Sequence, residues 1–185
     1  MRADDVALDS AVAQAQDGDE AAFAALYRLV QPGLLGYLRQ IVGEAAEDVA
    51  AAAWQEIAED LPRFRGDGHG FRGWTASIAR RHALVHLRQH GTSPRGATPS
   101  AGTLPALLAR LPRGQAEAVV LRHALGLDEP AAARVMGRPR AVVRVLARRG
   151  LKGLARELYP REVTHEVART LGEPRWAPIE TEANR

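Results

Sequence analysis

The sequence predicts an all-α protein built as two small helical domains joined by a flexible linker, the second a helix-turn-helix. Three observations predict it. The apolar stripes recur at three and four residues almost everywhere, the helical period, and no convincing strand pattern interrupts them. Residues 91–103, GTSPRGATPSAGT, are Gly, Pro, Ser and Thr with little else, the composition of a linker. Leu127–Arg149 reads as a short helix, a glycine turn and a second, basic helix.

Each element has its own warrant. Phe23, Leu26, Tyr27 and Val30 fall at i, i+3, i+4 and i+7, with Asp19 as N-cap. Pro32 and Gly33 are expected to interrupt that helix. Leu34, Leu35, Leu38, Ile41 and Val42 resume an apolar face, which Gly43 ends. Residues 44–61 form the next helix, with Val49, Ala53, Trp54, Ile57 and Leu61 inward. Three glycines within Arg63–Gly70 mark a loop. A helix follows from Phe71 to about Gln89. Phe71, Trp74, Ile78, His82 and Val85 form its inner face; Gly73, Ser77, Arg80, Arg81 and Arg88 lie on a more polar one. Beyond the linker, Leu104–Leu111, Arg113–Leu125, Glu129–Met136 and Arg140–Leu158 read as four more helices. The domains therefore run over 1–90 and 104–158. The tail, 159–185, carries one faint stripe (Val163, Val167, Leu171) and ends in residues of disordered composition.

Composition narrows the function. At 46% hydrophobic, the 185 residues can fill packed cores. Cysteine is absent, which excludes disulfides, thiolate metal sites and cysteine nucleophiles. No apolar run approaches the roughly 18 residues of a membrane span and no signal peptide opens the chain, so a soluble, cytoplasmic protein is expected. The net charge of +3 hides a strong asymmetry. Residues 1–62 hold 3 Arg against 12 Asp and Glu, whereas residues 63–95 hold 7 Arg against Asp67 alone. Residues 96–185 hold 15 basic against 9 acidic side chains. Basic stretches fit nucleic acid, and an acidic one fits a basic protein surface; solvated surface charge is the plainer alternative. Only Lys152 departs from arginine among the basic residues, a bias that forked phosphate or guanine binding and a G+C-rich genome both produce.

The helix-turn-helix reading rests on Gly137 for the turn and Pro139 at the start of the second helix. That helix carries Arg140, Arg144, Arg148, Lys152 and Arg156, each four apart, a stripe that drifts slowly around the axis. A recognition helix needs this combination, because its first residues reach base edges while flanking cations hold phosphates. Residues 110–156 carry 11 basic against 3 acidic side chains.

Taken together, the segments resemble the extracytoplasmic-function sigma factors of the sigma-70 family. The matches are Asp19-Glu20-Ala21-Ala22-Phe23 through Tyr27 and on to Arg39; Ala46-Glu47-Asp48-Val49; Arg63-Phe64-Arg65-Gly66; Phe71-Arg72-Gly73-Trp74; Ile78-Ala79-Arg80; and His86-Leu87-Arg88. In the second half they are Leu111-Pro112, Val119-Val120-Leu121-Arg122, Gly126-Leu127, Gly137, Pro139 and Val143. No single motif is specific, but their order and spacing around the linker are. The resemblance implies that the first domain binds core RNA polymerase and opens the minus-ten element, and that the second reads the minus-thirty-five element.

It further implies roles for individual residues. Glu47, Asp48 and Glu56 would meet polymerase. Arg65, Asp67, His69, Arg72, Ser77, Arg80 and Arg81 would meet minus-ten DNA. Arg138, Arg140, Arg144, Val145, Arg148, Arg149 and Lys152 would meet minus-thirty-five DNA. The implied partners are core RNA polymerase, through the clamp and flap regions of its large subunits, promoter DNA and an anti-sigma factor. No cofactor and no membrane is implied. The chain departs from the family pattern at Ala50-Ala51-Ala52, where polar clamp contacts usually stand. It departs again at His82, where a leucine usually packs, and at Val145-Leu146, which replaces a common Ser-Arg pair and predicts an unusual minus-thirty-five preference.

Competing readings are weaker. Trp54, Phe71 and Trp74 are spaced as core residues more than as base-stacking platforms. His82, His86 and His90 share a helical face, but no carboxylate or thiolate nearby in sequence completes a metal site. No phosphate-binding glycine loop and no nucleophile elbow is present, so no enzyme is expected. A small recombinase would need a catalytic Ser or Tyr, and Tyr27, Tyr37 and Tyr159 sit in helical or helix-end contexts. A stand-alone helix-turn-helix regulator remains the alternative; it predicts a dimer and leaves the first domain unexplained.

Overall fold

The computed structural model describes residues 3–91 and 103–158; the expectations for the interior of the linker and for the 159–185 tail lie outside the described residues. Among the described residues, eight α-helices run in order: α1 (Ala3–Gln16), α2 (Glu20–Val42), α3 (Ala46–Asp60), α4 (Gly68–His90), α5 (Leu104–Arg110), α6 (Arg113–Val119), α7 (Glu129–Met136) and α8 (Arg140–Leu158). Short 3-10 turns at Gly43–Ala45 and Leu61–Arg63 flank α3, and a π turn at Val120–Ala124 extends α6. No strand occurs among the described residues, and none of their helices is long and apolar enough to cross a membrane.

In the first half, α1, α2 and α3 pack around α4. Leu8, Leu26, Leu34, Tyr37, Leu38, Ile57 and Phe71 are fully buried there. Each such large side chain contributes about 1.5–3 kcal/mol of burial. Trp54 is buried under Phe23 and Tyr27, with ring centroids 6.0 and 4.9 Å away, and its Nε1 donates to Gln31 at 2.6 Å. Phe64, Phe71 and Trp74 form a second aromatic group. In the second half, α8 lies across α6 and α7. A Cβ at Gly150 would sit 2.6 Å from Val119 Cγ2 and 3.0 Å from the Gln115 carbonyl oxygen, so only glycine lets α8 approach α6 this closely. The two halves also touch: α7 meets α4, while α6 and the π turn meet α2.

Three expectations are corrected, and one helix, α1, had no expectation attached to it. The helix α1 gives little sequence signal, since its described inward side chains are Leu8, Val12 and the small Ala11 and Ala15. Pro32 does not interrupt α2, which runs straight through it. Proline denies the Arg28 carbonyl its helical partner, but both residues lie on the exposed face, where water can satisfy that oxygen. Buried Leu26, Val30, Leu34 and Leu38 on the opposite face hold the helix continuous. The glycine-rich loop is shorter than expected, because Asp67 caps α4 by accepting from the Gly70 N–H at 2.6 Å, and the helix begins at Gly68. Finally, Gly73 is buried rather than on an open polar face, because α7 packs over it.

Candidate nucleic-acid interface

Two basic helices carry the candidate site. The helix-turn-helix forms as its sequence dictates. Asp128 caps α7 by accepting from the Ala131 N–H at 2.7 Å. Gly137 takes the left-handed conformation (φ 62°, ψ 38°) that ends α7 and turns the chain, a backbone that favours glycine. The Pro139 carbonyl then accepts from Val142 and Val143, starting α8. Val143, Ala147, Gly150 and Leu154 point inward. Every predicted minus-thirty-five residue is exposed: Arg138, Arg140, Arg144, Val145, Arg148, Arg149 and Lys152. Among the described residues, no carboxylate pairs with any of these cations.

The other helix, α4, presents its cations differently. Arg80 donates through Nε to Glu117 Oε1 at 2.9 Å, and the Tyr37 hydroxyl donates to the same oxygen at 3.0 Å. Burial pulls the Arg80 guanidinium down, but the hydrogen bond and charge of Glu117 outweigh it and leave Arg80 more firmly protonated than usual. Burial, and then the charge of Glu117, push the Tyr37 phenol well above its ordinary range, so it stays a neutral donor. Arg81 pairs with Glu56, which His82 also meets through Nε2 at 2.7 Å. Burial and then the Arg81 charge hold the His82 imidazole below its usual range, so it meets the Arg81-paired carboxylate as a neutral donor. His86 and His90 stack on one another further along.

The loop before α4 is pinned. Gln16 Nε2 donates to the Leu61 and Phe64 carbonyls at 2.9 and 2.8 Å, and Asp9 accepts from the Gly68 N–H. Arg65 and Asp67 are exposed on this loop; Arg72 is half-buried in the first turns of α4, and Ser77 is exposed with its hydroxyl bonded to the Gly73 carbonyl. His69 is half-buried, its Nε2 accepting from the Asp128 N–H at 3.3 Å. On α3, Glu47 and Asp48 are exposed, with Glu47 bonded to Arg39 at 3.2 Å, whereas Glu56 is turned toward α4. Sequence reasoning missed Glu117, Tyr37, Asp9 and Gln16. Of these Glu117 left a trace, as one of three acidic residues within the basic 110–156, and Tyr37 was read only as a tyrosine in a helical context.

The comparisons with known proteins agree with this layout. The Sigma-70 region 2 model matches residues 26–92, and the Sigma-70, region 4 model matches residues 102–154. The ECF RNA polymerase sigma factors SigD of Mycobacterium tuberculosis H37Rv and of Mycobacterium bovis are each 28% identical over 180 residues, covering 82% of this chain and 84% of theirs. Among solved structures, CnrH in complex with the cytosolic domain of CnrY matches with a TM-score of 0.62 at 25% identity, covering 82% of this chain and 97% of that one. Both regions are present, in order, on a two-domain helical fold, and the chain therefore belongs to the sigma-70 family of transcription initiation factors, as a non-enzymatic sigma factor of the extracytoplasmic-function type.

Proposed function

We propose that this chain binds core RNA polymerase in the cytoplasm, brings it to promoters through α8 and α4, and melts the minus-ten element. The observation that carries the reading is the row of exposed cations on α8, without a carboxylate partner among the described residues, directly behind the Gly137 turn and within the segment that matches region 4. Arg140, Arg144 and Val145 near the start of α8 face bases of the minus-thirty-five element. Arg138, Arg148, Arg149 and Lys152 hold the flanking phosphates.

In the first domain, Arg65, Asp67 and His69 surround the flipped minus-ten base, while Arg72, Ser77, Arg80 and Arg81 follow the single strand. Exposed Glu47 and Asp48 on α3 dock on a basic polymerase surface; Glu56, held by Arg81 and His82, contributes less directly. CnrH was solved with a bound protein domain, which supports a second protein, an anti-sigma factor, as a further partner.

Size-exclusion chromatography with purified core polymerase tests the reading. The wild-type chain co-elutes with core, and Asp48→Arg loses most of that binding. A wild-type chain that elutes alone removes the sigma-factor assignment of function; unchanged binding of Asp48→Arg moves only the contact.

A further inference from the structure

Four positions on α4 face the second domain. His69 accepts from the Asp128 backbone at the start of α7. Gly73 is buried, and a Cβ built there would lie 3.6 Å from the Ala131 Cβ. Ser77 lines a cleft with Ala131 and Arg134 of α7. Arg80 is bound by Glu117 of α6, with the two side chains only 26% and 17% exposed. Positions 69, 73, 77 and 80 are spaced i, i+4, i+8 and i+11, one face of one helix. That is the face assigned above to minus-ten DNA.

We infer that the free chain holds itself closed, the second domain covering the minus-ten face of α4 and the Glu117 carboxylate occupying Arg80 where a DNA phosphate would bind. The inference rests on the reading of α4 as a DNA contact. Complementarity argues for a built contact. Glu117 is an acid in a basic domain, and it is satisfied from two directions by two elements of the other domain, Tyr37 on α2 and Arg80 on α4. Apolar contacts flank the pair, with Leu125 Cγ 3.4 Å from a Cβ built at Gly33, and Ala131 against Gly73. A carboxylate and a phosphate present similar acceptor oxygens to a guanidinium, so Glu117 and DNA compete for the same donor. The closed form leaves α8 exposed, so only one of the two DNA-reading helices is covered.

The absence of cysteine allows a direct test. The Gly73–Ala131 spacing lies inside the roughly 3.5–4.5 Å Cβ separation of a disulfide. Gly73→Cys with Ala131→Cys is prepared together with Arg144→Ala and Arg148→Ala, which reduce binding by α8. Oxidation without any partner closes the cross-link in most molecules. The oxidised protein binds a fluorescent random-sequence single-stranded 20-mer at least about fivefold more weakly than the same protein after reduction, a difference of about 1 kcal/mol. Glu117→Gln, without cysteines, binds that probe more tightly than wild type. Failure of the cross-link to form overturns the closed state, and equal, measurable affinity before and after reduction overturns the masking of α4. If the cross-link forms and neither redox form binds the probe, the DNA role of α4 falls and the competition with it, while the domain contact stands.

Discussion

The helices α4 and α8 are both arginine-rich and both proposed to contact DNA, yet they hold their cations in opposite ways. On α8 the row from Arg140 to Lys152 faces solvent without a carboxylate partner among the described residues, and the apolar side, Val143, Ala147 and Leu154, is sealed against α6 and α7. On α4, Arg80 and Arg81 are engaged by Glu117 and Glu56. An exposed cation is ready for any phosphate and is governed by salt. A paired one must first exchange a protein carboxylate for DNA, so its contact is conditional. On the proposed reading, the same residue type serves as a standing electrostatic footprint in one place and as a gated contact in the other.

The largest test of this difference bears on α4. Replacing residues 66–70 with a Ser/Ala segment of equal length abolishes open-complex formation on duplex promoters, read by permanganate reactivity of unpaired thymines, and leaves polymerase binding intact. A promoter already mismatched at the minus-ten element recovers part of the activity, because unstacking no longer has to be offset. Normal opening by the altered protein would reduce the loop to a connector.

Next in size is Arg144→Ala on α8. A base-reading arginine contributes about 1–3 kcal/mol and relaxes specificity at one position. Binding to a promoter panel at fixed salt decides, and a uniform loss across the panel assigns Arg144 to phosphate. If α8 is the standing footprint, removal of Arg148 lowers the salt slope of duplex binding by about one, and removal of the Glu117-bound Arg80 lowers it less.

A smaller effect is expected from Gly150→Ala. Alanine favours the helix by about 1 kcal/mol, but overpacking against Val119 and the Gln115 carbonyl costs about 1–3 kcal/mol. Denaturant unfolding should show a net loss of about 1 kcal/mol; a gain would mean that α8 is free to shift on its bed.

The smallest concerns His82, whose folded imidazole titrates below its ordinary value. Below about pH 6.5 the unfolded chain binds that proton more tightly, so stability present at neutral pH is lost as the pH falls. His82→Leu flattens this part of the pH–stability curve. An unchanged curve would show that the Glu56 contact offsets the burial of the ring.

Much of the fold was legible because its signals are local. The bounds of α7 and α8 follow from Asp128, Gly137 and Pro139, residues whose backbone preferences act within one turn. The exposure of the α8 stripe followed from its spacing. What the sequence hid was set by distant partners. Pro32 reads as a break, and only the buried leucines around it carry α2 through. Gly73 belongs by periodicity to a polar face, and α7 makes it an interior position. Glu117 looks like one solvated acid among arginines, and its meaning comes from Tyr37, eighty residues earlier. The short loop before α4 reads as adaptable from its glycines, whereas Asp9 and Gln16 fasten it.

That fastening has a thermodynamic consequence for recognition. The loop at Arg65–Asp67 is tied at both ends to α1, a helix with no assigned contact to DNA or polymerase, through Gln16 on one side and Asp9 on the other. A free glycine-rich loop would surrender about 1–2 kcal/mol of backbone entropy for each residue immobilised around a captured base. Here much of that ordering is completed when the chain folds, so more of the contact free energy remains to hold the base outside the stack. On the proposed reading, the helix α1 contributes to promoter opening as a source of preorganisation. Its influence should appear in the affinity for single-stranded minus-ten DNA without any contact of its own being required.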